Sequence, residues 1–313
     1  MVEILMAVYN GESYLKEQLE SIAAQTYTDW HLIIRDDCSK DASLAVIREF
    51  KHAHPQLRID IYENETPTGS ACKNFMRLLR DAREDYIMFC DQDDIWLPFK
   101  VMKTYKAMKH VEREEGTDQK PFLIHSDLIV ADEAGQTIAK SMRAYQQLPK
   151  TSDLRQLLIQ NMVTGCTVMI NRPLLKLLLM AEHEEAVVMH DYWAALIAQT
   201  FGRIYFIKRP LILYRQHGDN SVGAMNARGP KYLFGRMKAG RSQFRDRLLA
   251  TMAQAEAFAR IYRAELAGLP EEALIRDYGA LAHSGKMQKI SFYTSKGVLK
   301  YGSIRVIMQY LWS

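Results

Sequence analysis

The chain has no run of about 18 consecutive apolar residues, the minimum for a helix that spans a membrane. Its N-terminus passes straight into an apolar stretch at Val2 with no basic region ahead of it, so no secretion signal is expected there. Cysteine is scarce. Cys38, Cys72, Cys90 and Cys166 stand far apart, with neither metal-ligand spacing nor the density of a disulfide framework. A reducing cytoplasm is the expected setting. No Gly-rich loop of the P-loop or Rossmann type occurs, so any phosphate would have to be held by other groups. Internal repeats and low-complexity tracts are also missing, which excludes solenoids and tandem arrays.

What is present is the composition of an ordinary globular protein, with 48% hydrophobic and 25% charged residues in 313. That length allows one large α/β domain with an appendage, or two modest domains. The small net charge of +4 hides an asymmetry. From Pro230 onward there are 14 Lys and Arg against 6 Asp and Glu, whereas the preceding part carries 27 against 31. The expected division is therefore 1–225 and 230–313, with the Gly- and Asn-rich stretch 218–229 as linker. The first part reads as a metal and substrate domain. The second reads as built for an anionic surface: membrane lipid, nucleic acid or an acidic partner.

Along the first part, strand-like and helix-like segments alternate. Strands are expected at 3–8, 30–34, 57–62, 86–89, 122–125 and 164–170, with two short ones at 204–207 and 211–214 around Pro210. Helices are expected at 13–24, at 72–82, over 98–115, at 174–181 and at 192–201, besides one near Leu44–Phe50 capped by Ser39 or Asp41. This alternation predicts a largely parallel sheet with flanking helices, and the tail beyond 234 reads as helical.

The most informative stretch is Cys90-Asp91-Gln92-Asp93-Asp94. Three carboxylates follow an apolar strand that cannot hold unpaired anions in its interior, so the chain must emerge there at the strand's C-terminal end. Crowded carboxylates call for a cation, and a hard divalent ion would also grip a diphosphate. The plainer alternative is an acidic turn in which Asp94 caps the following helix. Two other strands end in polar runs, Ala7-Val8-Tyr9-Asn10-Gly11-Glu12 and Asp36-Asp37-Cys38-Ser39. In a parallel sheet all three ends share one edge, so distant segments converge on one crevice. Arg215 and His217 alternate at the end of a further strand and can share a face. Arg215 suits bidentate pairing with a phosphate; His217 is a metal or diphosphate contact, or a structural residue. Arg35 is most simply a solvated charge at a strand end.

These motifs, together with Thr68-Gly69-Ser70, Lys73-Asn74-Phe75, His190-Asp191-Tyr192-Trp193, and Tyr214-Arg215-Gln216-His217 with Asn220, resemble the family 2 glycosyltransferases. Over roughly residues 1 to 225 the set is similar to the bacterial rhamnosyltransferase branch. The resemblance implies a GT-A fold: a mostly parallel central sheet flanked by helices, with a Rossmann-like nucleotide half and an acceptor half. It implies metal-dependent inverting transfer from a nucleotide-sugar donor, with Mn or Mg as the divalent cation. Carried over by position, Ala7, Tyr9, Asn10 and Glu12 would border the nucleotide, and Asp36 or Asp37 would accept the base N3–H. Lys73 and Asn74 would lie near the nucleotide or sugar, with Gln92 beside them. Asp91 would contact ribose or metal, and Asp93 would ligate the metal. Asp191 matches the catalytic base; it also fits the N-cap of the helix from Tyr192. Gly165, Cys166, His190 and Trp193 are candidates for the acceptor side, where a buried strand edge is the alternative for the first two. Two departures stand out: Cys38 where the family usually has Gly, and Ala7 where Pro is common.

The leading expectation is transfer of L-rhamnose from dTDP-rhamnose to a glycan or lipid-linked saccharide in surface polysaccharide synthesis, with a UDP-hexose as second donor. A sugar nucleotidyltransferase would need a basic Gly-rich loop near the N-terminus, which 7–12 lacks. A non-catalytic nucleotide-sugar or glycan binding module would not need Asp191. In the tail, Lys231, Arg236, Lys238 and Arg241 interleave with Tyr232, Leu233, Phe234 and Met237, and Lys286 through Trp312 forms a second basic and aromatic patch. Such stretches suit an anionic membrane surface on the cytoplasmic face of the cell membrane, or packing on the catalytic domain or another protomer in a homo-oligomer. Nothing in the chain matches a nucleic-acid-binding motif.

Overall fold

The computed structural model describes residues 1–149, 153–181, 183, 185–218 and 230–313, with 230–239 described in backbone only. The expected linker 218–229, Asn220 and the side chains of the first basic tail cluster thus lie outside the described residues, apart from Gly218 and Arg241. The chain divides into two compact units. One comprises Met1–Met142, Val163–Glu182 and Gly202–Ala224; the other comprises Arg143–Met162, His183–Phe201 and Met225–Ser313.

In chain order the elements begin with β1 (Val2–Val8), α1 (Glu12–Ala23), β2 (Trp30–Asp36), α2 (Ser43–Ala53), β3 (Ile59–Glu63), α3 (Ala71–Asp81) and β4 (Tyr86–Cys90). There follow β5 (Ile95–Trp96), α4 (Lys100–Glu115), β6 (Phe122–Ala131), β7 (Thr137–Ala139), α5 (Met142–Tyr145) and α6 (Leu154–Ile159). Next come β8 (Met169–Asn171), α7 (Arg172–Leu179), α8 (His190–Phe201) and β9 (Arg203–Arg215). The tail forms α9 (Pro230–Ile261), α10 (Arg263–Leu266), α11 (Glu271–Ala280), α12 (Lys286–Lys296) and α13 (Ser303–Trp312). Among the described residues no helix is long and apolar enough to cross a membrane.

The first unit holds a single sheet in the order β3-β2-β1-β4-β8-β6-β9-β5, with β7 attached to β6. β1 to β4 are mutually parallel, as alternation with helices requires; β1, β2 and β4 are largely buried, and β3 at the edge buries only Ile59. Beyond β4 the sheet is mixed. β8 runs antiparallel to both β4 and β6, β9 parallel to β6, and β5 antiparallel to β9. Register sets Val8 opposite Asp36 and Met6 opposite Cys90, so the polar ends of β1, β2 and β4 share one edge.

Three expectations change here. The strand expected at 122–125 continues to Ala131, because β9 pairs along it through a bulge at Asp127. The two strands expected around Pro210 are one, since Pro210 sits at that same irregularity, where its missing N–H breaks no rung. The strand expected at 164–170 is a 3₁₀ turn over Gly165–Thr167 followed by the short β8.

The second unit is helical around aromatic side chains. Trp193 packs on Phe258 at 5.3 Å and donates its indole N–H to the Tyr262 hydroxyl at 2.9 Å. A Cβ on Gly279 would meet the Glu256 backbone nitrogen at 2.7 Å, so only glycine lets α11 lie this close to α9. α9 is bent at Gly240, which takes φ 78°.

Candidate active site

The loops after β1 and β2 are laced by hydrogen bonds from backbone N–H groups to side-chain oxygens. Asn10 N–H donates to Ser39 Oγ (2.9 Å), Lys40 N–H to Asn10 Oδ1 (2.8 Å) and Gly11 N–H to Ser43 Oγ (2.8 Å). Glu12 N–H donates to Asp41 Oδ2 (3.0 Å), and Ala42 N–H returns to Glu12 Oε2 (2.6 Å). Asn10 and Glu12 thus hold the two loops together. Tyr9 projects from them, half exposed. Asp41 acts through an Asx turn to Ser43 rather than as the expected cap, for Ala42 begins α2.

The two neighbouring aspartates divide their work. Asp36 is sealed, its Oδ2 accepting from Ser39 N–H at 2.9 Å and its Oδ1 buried with no hydrogen-bond partner. Asp37 accepts from Asn64 Nδ2 (2.7 Å) and from the Thr68 N–H (2.7 Å) and hydroxyl (2.6 Å). Asn74 is buried too, bridging Asn64 and the Arg35 carbonyl, while Lys73 is exposed in the first turn of α3. Arg35 is not a solvated charge: it pairs with Asp81 and donates to Asn64 Oδ1 at 3.0 Å. Cys38 adopts φ 63°, the left-handed region, which explains why glycine suits this position; its thiol donates to the Asn64 carbonyl at 3.0 Å.

Gln92 joins this layer to the acidic loop. Its side-chain oxygen accepts from Tyr9 N–H at 2.8 Å, and its Nε2 donates to the Tyr9 carbonyl at 3.0 Å. A Cβ on Gly11 would stand 2.5 Å from Gln92 Oε1, so the approach depends on glycine.

The acidic loop is assembled by the pairing of β5 with β9, Ile95 opposite Leu213, which lays Asp93 and Asp94 beside the end of β9. Arg215 N–H donates to Asp94 Oδ1 at 3.2 Å. Its guanidinium donates to the Asp93 carbonyl (2.9 Å), to the Glu133 carbonyl (2.6 Å) and to the Glu17 carboxylate, and lies 4.9 Å over the Tyr14 ring. Arg215 thereby braces the acidic loop. His217 Nε2 lies 2.7 Å from Asp93 Oδ2, and its ring rests against Tyr14 at 4.7 Å.

Beneath the loop the charges are buried. Asp94 is fully buried and does not cap α4, which begins after Phe99 without a side-chain cap. Burial, then repulsion from Asp93 and Asp91, pushes the Asp94 carboxyl well above the usual carboxylate range. Burial, then Asp94 and Asp91, likewise pushes the Cys166 thiol up. Burial pulls Lys100 down to about 8; its ammonium sits 3.3 Å from the Trp96 ring centroid.

Ligand atoms of Asp91, Asp94 and Cys166 all lie within 4.8 Å of one another. Two carboxylates crowded this closely, with Asp94 Oδ2 meeting no conventional donor, are an environment a cation would relieve. Oxygen donors with the nearby imidazole suit a hard ion such as Mg or Mn; a thiol held neutral contributes little to one.

In the second unit, Asp191 lies in the first turn of α8 and accepts from Asn161 Nδ2 at 3.2 Å. The helix begins at His190, so Asp191 is inside it and not its cap. Burial pulls His190 down to about 3, leaving a neutral imidazole at physiological pH. Trp193, packed in the aromatic core, and His190, expected on the acceptor side, are both buried. Gly165 and Cys166 are buried as well, and Cys166 faces the acidic loop.

Sequence reasoning missed Tyr14 and Glu17, whose helical spacing signals nothing beyond an amphipathic surface. It also missed Asp127. β8 links Ile87 to Leu123 across the sheet, and Asp127 lies four residues farther along β6. Asp127 is buried at the β6 bulge and accepts from the Ser141 hydroxyl at 2.5 Å. The signal was available: His125-Ser126-Asp127 interrupts an apolar strand just as the acidic triplet ends one.

A parallel nucleotide-type half, a mixed half and carboxylates at the shared strand edge define a GT-A glycosyltransferase. The sequence description "Glycosyl transferase family 2" matches residues 3–114. The dTDP-rhamnosyl transferase RfbG of Shigella flexneri is 31% identical over 236 residues, covering 72% of this chain and 76% of RfbG. The chain belongs to glycosyl transferase family 2. The Escherichia coli UDP-Glc:alpha-D-GlcNAc-diphosphoundecaprenol beta-1,3-glucosyltransferase WfgD is 29% identical over 56% of this chain and 62% of its own length. Among solved structures, Staphylococcus aureus TarS 1–349 with UDP-GlcNAc superposes with a TM-score of 0.57 at 18% identity, covering 98% of this chain and 78% of TarS. The mannosyltransferase PcManGT of Pyrobaculum calidifontis, in complex with GDP-Man and Mn2+, gives 0.57 at 18% identity over 99% and 84%. At these identities the structural likeness speaks for the fold.

Proposed function

We propose that this transferase moves L-rhamnose from dTDP-rhamnose, with inversion, onto a lipid-linked saccharide during assembly of a surface polysaccharide. The observation that carries the chemistry is the meeting of the β1, β2 and β4 ends with His217 around crowded carboxylates. The similarity to RfbG supports the donor, and the diphosphoundecaprenol acceptor in the name of WfgD supports the lipid carrier.

Asp37 reads the base. Its Oδ2 keeps acceptor capacity beside Thr68, whereas the unused oxygen of Asp36 is sealed. Thymine and uracil both offer N3–H, so this contact does not separate dTDP from UDP donors. Tyr9 and Ala7 border the nucleotide, and Lys73 offers a mobile cation to the donor. Asp91, Asp93 and His217 would hold a divalent cation, which when bound stabilises negative charge on a departing diphosphate. Asp191 takes the proton of the acceptor hydroxyl, oriented by Asn161. A UDP-hexose donor is the second reading, favoured by the names of WfgD and of the TarS complex.

A transfer assay with dTDP-rhamnose, UDP-glucose and UDP-GlcNAc, each with Mn²⁺ or Mg²⁺, tests both. Turnover confined to a UDP-hexose replaces the first donor with the second. Asp191→Asn should lower kcat about 10²–10⁴-fold, the scale of general-base catalysis, with donor binding unchanged. Retention of full transfer by Asp191→Asn removes it as the base.

A further inference from the structure

We propose that the outward face of α13 docks on an anionic lipid bilayer. Ile304, Ile307 and Leu311, spaced by three and four residues, form one stripe and are 43%, 56% and 57% exposed. The opposite face is anchored. Met308 is buried, and Gln309 accepts from Lys300 N–H at 2.9 Å and donates to the Val298 carbonyl at 2.9 Å, so the stripe cannot simply turn inward.

The patch is wider than one helix. Lys286 Nζ donates to the Leu311 carbonyl at 2.8 Å, which brings the start of α12, with Met287 at 77% exposure, beside the end of α13. Tyr301 leads into α13 and is also exposed. Of the eleven large apolar side chains exposed among the described residues, five fall within 287–311, so the exposure is a patch and not scatter.

Charge selects the occupant. Residues 278–313 contain Lys286, Lys289, Lys296, Lys300 and Arg305, and no Asp or Glu. A second copy docking through this face would set the same cations against each other, because a twofold interface pairs a surface with itself. An anionic bilayer answers both properties: its headgroups neutralise Lys286, which the structure sets beside Leu311, and its interface accepts the isoleucines, leucine and methionine. The inference deepens the reading of a lipid-linked acceptor and rests on it for its purpose, since docking would bring the enzyme to the surface where such an acceptor resides.

Sedimentation of the full chain with vesicles of phosphatidylglycerol and phosphatidylcholine, without sugar nucleotide or acceptor, tests docking apart from the reaction. Binding is expected at low salt, reduced in high salt, and weak to phosphatidylcholine alone. Ile307→Asp with Leu311→Asp should weaken it about tenfold or more. Lys286→Gln should weaken it about fivefold. Ile307→Ser serves as the milder variant, with circular dichroism to verify folding. No binding to anionic vesicles at low salt overturns the proposal, as does undiminished binding by the folded double variant. A dimer that the double substitution dissolves, without vesicle binding, assigns the face to a second copy and also overturns it. Transfer to a water-soluble acceptor should be unchanged in the double variant. If that transfer fails in the wild type while vesicles still bind, the functional reading falls and the docking stands.

Discussion

The loops after β1 and β2 and the acidic loop after β4 occupy one sheet edge but are fixed by different forces. The first pair is knitted by short neutral contacts, backbone N–H groups donating to Ser39, Ser43 and Asn10. The acidic loop hangs on one side chain, Arg215, drawn across it to the carbonyls of Asp93 and Glu133, with Asp94 and Lys100 buried below. Many backbone contacts fix a shape in advance of any ligand. Buried titratable groups respond to a charge placed beside them. On the function proposed above, the nucleotide side would be preformed and the acidic side would await a cation.

The strongest way to break this contrast is Asp93→Ala. It should lower metal-stimulated transfer on the order of 10²–10³-fold, the scale of losing one group that stabilises charge in the transition state. Nucleotide affinity measured by calorimetry without metal should hardly change; an equal loss there would erase the distinction. Arg215→Met comes next, because it leaves the carbonyls of Asp93 and Glu133 without their donor. Each such orphan costs about 1–3 kcal/mol, so chemical denaturation should show a loss of roughly 2–5 kcal/mol. Gly11→Ala attacks the junction of the two regions. Its methyl must displace the Gln92 amide, an overpacking cost of about 1–3 kcal/mol that should appear as a raised KM for donor with kcat less affected. Glu17→Gln sharpens the comparison from the weak end. Glu17 is more than half exposed, so its pairing with Arg215 should contribute below about 1 kcal/mol in the same melts.

Much of this was legible in the sequence, for identifiable reasons. Parallel strands buried on both faces are mostly apolar, so β1, β2 and β4 announce themselves, and polar runs directly after them mark the edge. That logic located Asp36, Asp37, Asp91 and Asp93. It did not reach the division of labour, because partners are set by tertiary register: β5 pairing with β9 commits Arg215 to the acidic loop, and no local pattern encodes that pairing. Pro210 misled for a related reason. A proline ends a strand in isolation but is accommodated where the partner strand bulges at Asp127.

Gln92 gives the edge one further property. Its amide offers Tyr9 an acceptor and a donor in the spacing of a peptide group, so a side chain impersonates a rung of sheet beyond the last true pair of β1 and β4. The two loops are thereby geared together. A displacement of the acidic loop when its charges are neutralised would be passed through one amide to the backbone at Tyr9. Nucleotide grip and cation occupancy would then be coupled mechanically through a single replaceable part, and shortening that part by one methylene, as in Gln92→Asn, would let each loop answer only to its own ligand.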